Sequence, residues 1–587
     1  MSDVVRIANC SGFYGDRFAA AREMVEGGPI DFLTGDYLAE LTMMILVKDR
    51  MRDPELGYAR SFLGQLEEVA RLCKERGVRI VVNAGGLNPA GLARAARALY
   101  ERLGLDVRVA HIEGDDLMPR LAELQARGHP LAHLDHGRPL SSLKAPVLSA
   151  NVYLGAWGIV TALEHGAELV ICPRVTDAAL TLGPAAWKHG WSRDDWDRLA
   201  AGIVAGHILE CGAQCTGGNY AFFREVSNLE HVGFPLAEIH ADGQLVITKH
   251  PGTGGAVTVG TVTAQLLYEI AEPEYLNPDV TACFDSIELC QDGPDRVRVR
   301  GVRGAPPPET AKVCINHVGG YKNRMTFVLT GLDIEAKARL AEETLWRAVG
   351  GRERFQETLI TLERFDRPDP ERNEDAFAYL TVAVKDPDAR KVGRDFSGKV
   401  VEMALASYPG FTMTSPPGRE SIFGVYWPAL LPADLVRERV VFEDEVFEVE
   451  PAPRKPIERP SERRLSSAGP PPEGPTRDRP IGTICGARSG DKGGHANIGV
   501  WVRSPEAYAW LVSFLDTERL RSLVPEARNL DIERHELPNL LALNFVVKGL
   551  LGEGVAASLR PDPQAKTLGE YLRARVVSIP VALLPEG

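Results

Sequence analysis

The chain has 587 residues, room for roughly three or four ordinary domains or one large α/β unit with an appendage. Its 44% hydrophobic and 25% charged content is that of a soluble globular protein and excludes collagenous, low-complexity and disordered classes. With 67 basic against 80 acidic residues the net charge is −13, which argues against a nucleic-acid binder.

No apolar run reaches the ~20 residues of a membrane span, and the opening MSDVVRIANC has no charged-then-apolar leader, so a cytoplasmic protein with no membrane partner is expected. Nine scattered cysteines without a CxxC pair point to buried thiols, with neither a disulfide framework nor a metal site expected.

From residue 4 to residue 177 one pattern recurs: a short apolar run, a polar or glycine-rich stop, then a helical segment. The runs at 4–8, 30–33, 80–82, 107–112 and 169–171 predict five strands of a mostly parallel α/β sheet, open rather than closed into a barrel. Their C-terminal ends converge on one rim, where ligands bind in such sheets.

The first stop, CSGFYGDR, offers Ser11, Gly12, Asp16 and Arg17. Its spacing fits neither a dinucleotide fingerprint nor a Walker loop, leaving a tight turn or residues aimed at the rim. In GDYLAEL, Asp36 and Glu40 are four apart; on a helix they share a face, as an acid and base pair or as a cap with a surface acid. NAGGLNPAGLA supplies Asn83, Gly85 and Gly86, then a helix with Pro89 in its first turn, suited to an anion or to simple turn chemistry. Asp115 and Asp116 are outer candidates, and the histidines at 129, 133 and 136 lack partners at ligand spacing.

The run ending at Ile171 leads into CPRVTDAA, where Arg174, Thr176 and Asp177 place a cation, a hydroxyl and a carboxylate at a strand end. The alternative is an N-cap by Thr176 or Asp177. An apolar helical face follows from Trp196 to Cys211, with His207 read as a core histidine. The loop after it carries Cys215, Thr216, Gly217, Gly218 and Asn219. Cys215 is either a nucleophile activated by Lys249 or His250, if folding brings one of them close, or a buried inert thiol.

Asp242 and Gly243 predict a hairpin, and HPGTGGA then offers His250, Gly252, Thr253, Gly254 and Gly255, a turn whose amides at a helix start suit a phosphate or carboxylate. A second hairpin is predicted at Asp292 and Gly293, and NHVGGYKNR reads as a glycine corner gathering His317, Lys322 and Arg324. No GxSxG elbow occurs. Nine prolines in 451–480 make a linker between units at 1–450 and 481–587. In the last unit, TICGARSGDKGGHANIGVWV predicts two strands around a loop bearing Arg488, Ser489, Asp491, Lys492, His495 and Asn497, which would cover the main pocket, bind an anion or decorate the surface. The stretch 540–551 reads as a helix.

CSGFYGDR, GDYLAELTM, NAGGLNPAGLA, CPRVTDAALTLGP, ECGAQCTGGNY and HPGTGGAVT resemble signature segments of the acyclic terpene utilisation protein A (AtuA) family. ARSGDKGGHANIGV and ELPNLLALNFVVKGLLGEG resemble the ferredoxin-like domain that follows in its longer members. The first segment departs from the family in having Asn9 and Cys10 where a glycine-rich opening is expected. The resemblance implies a small C-terminal ferredoxin-like α+β domain behind the α/β domain and its hairpins. It further implies catabolism of citronellol- and geraniol-like terpenoids, whose later steps run through acyl-CoA thioesters. The expected activity is a lyase or hydratase with a CoA thioester as substrate and no separate cofactor assigned. A Cys215-dependent hydrolase or acyltransferase and a non-catalytic scaffold subunit are the alternatives. The expected partner is a small acyl molecule, and a homo-oligomer stays open. No catalytic residues come with the resemblance, so Asp36, Glu40, Arg174, Asp177 and Cys215 stand as catalytic candidates on the residues alone.

Overall fold

The structure, a computed structural model, describes residues 4–454 and 469–585; the middle of the expected linker, 455–468, lies outside the described residues. Five parallel strands lead the N-terminal domain: β1 (Val4–Asn9), β2 (Phe32–Gly35), β3 (Arg79–Val82), β4 (Val109–Glu113) and β6 (Leu169–Ile171), in the order β1-β2-β3-β6-β4. They are the five strands the apolar runs predict, and the sheet is open. The remaining early strand, β5 (Val147–Val152), leaves for a second sheet.

Side chains alternate across the sheet, as the two-residue period of a strand requires. Ile7, Phe32, Val81 and Val170 face helices Trp157–Glu164, Ala179–His189 and Trp196–Leu209. Ala8, Leu33, Ile80, Val82 and Leu169 face helices Ala20–Glu26, Arg60–Arg76 and Pro89–Arg102. Both faces are covered, which is why the strands read as continuous apolar runs. The helices change face where the strand order doubles back from β4 to β6.

The Asp242 and Gly243 turn joins β7 (Pro235–His240) to β8 (Leu245–Lys249), and with strands Arg296–Arg300 and Glu288–Gln291 they extend the sheet beyond β1. Strands Arg439–Phe442 and Glu445–Glu448 extend it beyond β4, making eleven strands. The second sheet is built on the 21-residue strand Thr310–Thr330, which pairs with β5, Phe377–Asp386, Thr412–Met413 and Ser421–Pro432. The glycine corner expected at NHVGGYKNR does not form. Gly319 and Gly320 lie inside this strand, where the register slips between Val318 and Gly320 as at a bulge.

The C-terminal domain is a four-stranded antiparallel sheet, in the order Gly486–Lys492, His495–Trp501, Ala542–Val547, Ile532–Leu537. The stretch 540–551 is therefore not a helix: its middle, Ala542–Val547, is a strand. Leu543, Phe545 and Val547 enter the domain's own core while Asn544 between them points the other way, an alternation that fits a strand. Thr476–Pro480 pairs with Val576–Pro580, so the end of the expected linker belongs to this unit. Trp501, Leu537, Leu540 and Ala542 join the large domain's core, so the two units share buried surface. Among the described residues no helix is long and apolar enough to cross a membrane.

Trp501 is 2% exposed at this seam. Trp501→Ala is expected to cost about 3–5 kcal/mol, read as a lowered calorimetric transition. A loss under about 1 kcal/mol would mean that the shared core does not hold the domains together.

Candidate active site

Asn9 and Thr34 at the ends of β1 and β2, Asp36 just beyond, Asp177 and Thr181 after β6, and Glu210 at the end of helix Trp196–Leu209 wall one small cleft on the rim, with about 10 Å³ of open space, room for a single water. Asn9 ties two of these elements together, its side-chain amide donating to the carbonyls of Leu209 and Glu210 that the helix end leaves unsatisfied.

Asp36 lies in an extended segment, and the helix begins only at Glu40 (Glu40–Arg52). The two therefore do not share a helical face, and the Glu40 side chain lies outside the described residues. Asn83, fully buried at the end of β3, sets Asp36 in place. Its Nδ2 donates to Asp36 Oδ1 at 2.6 Å and its Oδ1 accepts the Tyr37 N–H at 2.7 Å, while the Leu38 N–H donates to Asp36 Oδ1 at 3.1 Å.

Arg174 is buried, and its Nη1 donates to Asp177 Oδ1 at 2.8 Å with the guanidinium 4.4 Å from the Tyr153 ring centre. It grips Asp177 rather than standing alone at the rim. Helix Ala179–His189 has Ala178 at its N-cap and no side-chain cap, so neither Thr176 nor Asp177 serves as one. Behind the pair, Asp115 accepts from the Arg174 N–H at 3.3 Å and from Asn151 Nδ2 at 2.7 Å, and burial pushes its carboxyl up to about 7.

Burial, and then the Asp177 charge, hold the Asp36 carboxyl well above the ordinary carboxylate range, against the pull of Asn83 and Arg174. Burial, then Asp177 and Glu269, hold Glu210 up in the same way, with Lys492 and Arg174 pulling against them. His207 Nδ1 is 3.0 Å from Glu210 Oε1, and burial lowers the imidazole to about 4. The cleft thus sets one ion-paired carboxylate beside two carboxyls held well above the ordinary carboxylate range. Among the described residues no group of three or more His, Cys, Asp or Glu is placed to hold a metal ion.

The other candidates fall outside this cleft's wall. Ser11 Oγ donates to the Phe13 carbonyl, the Gly12 N–H donates to Asp16, and Arg17 pairs with Glu23 at 2.6 Å, so that loop is occupied by its own turn. Gly85 and Gly86 form the turn before helix Pro89–Arg102, their N–H groups donating to Cys172 and Asn83 carbonyls, and Asn88 caps that helix. Cys215 is buried and its thiol is pushed up by burial. The two cations considered for it are engaged elsewhere, Lys249 with Asp295 at 3.1 Å and His250 with the Met24 carbonyl at 2.9 Å. Thr216 donates to the Ala213 and Gly233 carbonyls, the Gly217 and Gly218 N–H groups close the same turn, and the Asn219 carbonyl faces Arg488.

The anion site expected at HPGTGGA is corrected by the backbone. The helix starts later, at Val259 under a Thr258 and Thr261 capping box, and the N–H groups of Gly254, Gly255 and Ala256 already donate to the carbonyls of His231, Ser227 and Thr216. Thr253 bonds back to the His250 carbonyl and Gly252 is an exposed turn residue. Lys322 and Arg324 form no pocket with His317; they donate to the carbonyls of Ala556, Ser558 and Leu559 in the C-terminal domain.

Sequence reasoning missed Asn9, Thr34 and Glu210 as site residues. The one available signal for Glu210 is an acid closing a run, IVAGHILEC, that is otherwise apolar but for His207.

A raised folded-state pKa stabilises the fold below the ordinary carboxylate pKa of about 4, and that stability is lost as pH rises through the folded value. Asn at position 36 can accept the same two bonds on Oδ1 without a titrating proton. The melting temperature of Asp36→Asn minus that of wild type is therefore expected to rise from pH 4 to pH 9 by scanning fluorimetry; a difference that falls with pH would contradict a raised Asp36 carboxyl.

A comparison with curated proteins finds no match. Residues 5–442 match the acyclic terpene utilisation family protein AtuA, and residues 479–578 match the AtuA ferredoxin-like domain. The chain belongs to the AtuA family, in the form that carries the ferredoxin-like domain behind the main one.

Proposed function

We propose that the protein is an enzyme of acyclic-terpenoid breakdown that adds water to, or removes it from, a branched acyl-CoA thioester. The family name points to terpene catabolism. The chemistry rests on one observation, that Asp177, ion-paired with Arg174, and Asp36, held well above the ordinary carboxylate range, line one cleft. General acid and base catalysis needs two groups that hold different protonation states at one pH, and environments that push two carboxyls apart supply them.

In the hydration direction Asp177 takes a proton from water and the hydroxyl oxygen bonds to the β-carbon of an unsaturated thioester. The electron pair moves to the α-carbon, which takes the proton of Asp36. Both hydrogen bonds that fix Asp36 fall on Oδ1, leaving Oδ2 to carry that proton. The proton gained by Asp177 then returns to Asp36, and dehydration runs the same steps backwards. Arg174 holds the base in place, a positioning role in which it does not touch the thioester.

The experiment is incubation of the pure protein with a panel of branched and terpenoid acyl-CoAs, with products followed by mass spectrometry. Hydration or dehydration of one of them is expected, with kcat/KM lowered about 10²–10⁴-fold in Asp36→Asn and in Asp177→Asn. Cys215→Ala is expected to keep its activity. No turnover across the panel, or full activity without Asp177, would end this reading.

A further inference from the structure

Residues 267–271, which follow helix Val259–Leu266, lie against the sheet of the C-terminal domain. Two glycines on neighbouring strands make the approach: a Cβ on Gly490 would sit 2.5 Å from the Tyr268 ring, and one on Gly499 would sit 2.5 Å from Leu267 Cβ. Polar side chains then hold the segment's backbone. Asn497 Oδ1 accepts the Glu269 N–H at 2.9 Å, and Lys492 Nζ donates to the Glu269 carbonyl at 2.8 Å. Asn544 Nδ2 donates to the carbonyls of Ile270 and Ala271 at 3.1 and 2.7 Å, and Asn497 Nδ2 donates to Asn544 Oδ1. Asn497 and Asn544 are both fully buried.

Glu269 has φ +58, a left-handed conformation that a residue with a Cβ avoids unless its surroundings impose it. The surroundings here belong to the other domain.

We propose that the C-terminal domain is a working part of the active site: its Gly490, Lys492, Asn497, Gly499 and Asn544 clamp residues 267–271, and Lys492 is a positioning residue that sets the charge around Glu210. The clamp stands on its own contacts, whereas its effect on turnover rests on the acid and base reading of the cleft. The helix that leads into the clamped segment reaches Glu210 through one residue: Gln265 Nε2 donates to the His207 carbonyl at 3.1 Å, and His207 Nδ1 stands 3.0 Å from Glu210 Oε1; Asp177 and Glu269 oppose the ionisation of Glu210, and Lys492 and Arg174 favour it. Without the Lys492 ammonium, Glu210 keeps its proton to higher pH.

The test uses the full-length protein with Asn497→Ala, Lys492→Met and Lys492→Arg. Hydrogen exchange should speed up across residues 267–271 in Asn497→Ala and in Lys492→Met and stay near wild type in Lys492→Arg, which keeps the charge and fold. Infrared difference titration, with Glu210→Gln assigning the band, should show Glu210 ionising at higher pH in Lys492→Met and at its normal pH in Lys492→Arg. Neither readout needs a substrate, so an absence of turnover would count against the hydratase reading and leave the clamp standing. Unchanged exchange in both Asn497→Ala and Lys492→Met overturns the clamp. Faster exchange with an unmoved Glu210 band overturns the role of Lys492.

Discussion

The rim of this protein depends on the ion pair between Arg174 and Asp177. Arg174 is 2% exposed, and a guanidinium that deep needs a counter-charge within reach. Asp177 supplies it at 2.8 Å, and the Tyr153 ring lies under the cation. The carboxylate so fixed then acts on its neighbours. Asp36 and Glu210 open onto the same cleft, and a third charge there would face both burial and the Asp177 charge, so each is held well above the ordinary carboxylate range. Burial is the larger cause at both groups and the Arg174 cation itself pulls the other way, so its part is to fix the Asp177 charge that adds to burial.

Much of the fold was legible because the physics involved is local. Strands buried on both faces must be apolar throughout, and Ile7 with Ala8 or Phe32 with Leu33 showed that run before any helix was placed. Asp242 with Gly243 marked a hairpin through the backbone its turn demands. What failed depended on distant partners. The strand Thr310–Thr330 carries two adjacent glycines that look like a corner, and only pairing on both sides keeps it extended. The stretch 540–551 is apolar enough for a buried helix, and Asn544 looks misplaced in either reading until residues 270 and 271 meet it. The site was half legible for the same reason. Asp36, Arg174 and Asp177 end predicted strands, whereas Glu210 ends a helix that nothing local connects to the rim.

The glycine-rich segments show why composition misleads about ligands. HPGTGGA has the residues of an anion loop, yet its amides are taken by neighbouring carbonyls, so the glycines serve chain packing. ARSGDKGGHANIGV has the same look, and two of its polar side chains, Lys492 and Asn497, are spent on the backbone of Glu269. In both cases a glycine that admits a ligand and a glycine that admits another stretch of backbone have the same sequence signature, and only the hydrogen-bond partner tells them apart.

The charge arrangement also limits what can react in the cleft. An anionic group entering it would meet the Asp177 carboxylate and displace the protons of Asp36 or Glu210 only against burial. A neutral, polarisable end, such as a thioester carbonyl conjugated to a double bond or carrying a β-hydroxyl, meets a proton donor and a proton acceptor instead. In the proposed reaction the phosphates of the CoA carrier lie away from these carboxyls, on a surface other than the HPGTGGA turn, whose Gly254, Gly255 and Ala256 amides are already bonded. The proposed chemistry thus separates the two halves of its substrate: the uncharged acyl end belongs among Asp36, Asp177 and Glu210, and the charged carrier belongs outside them.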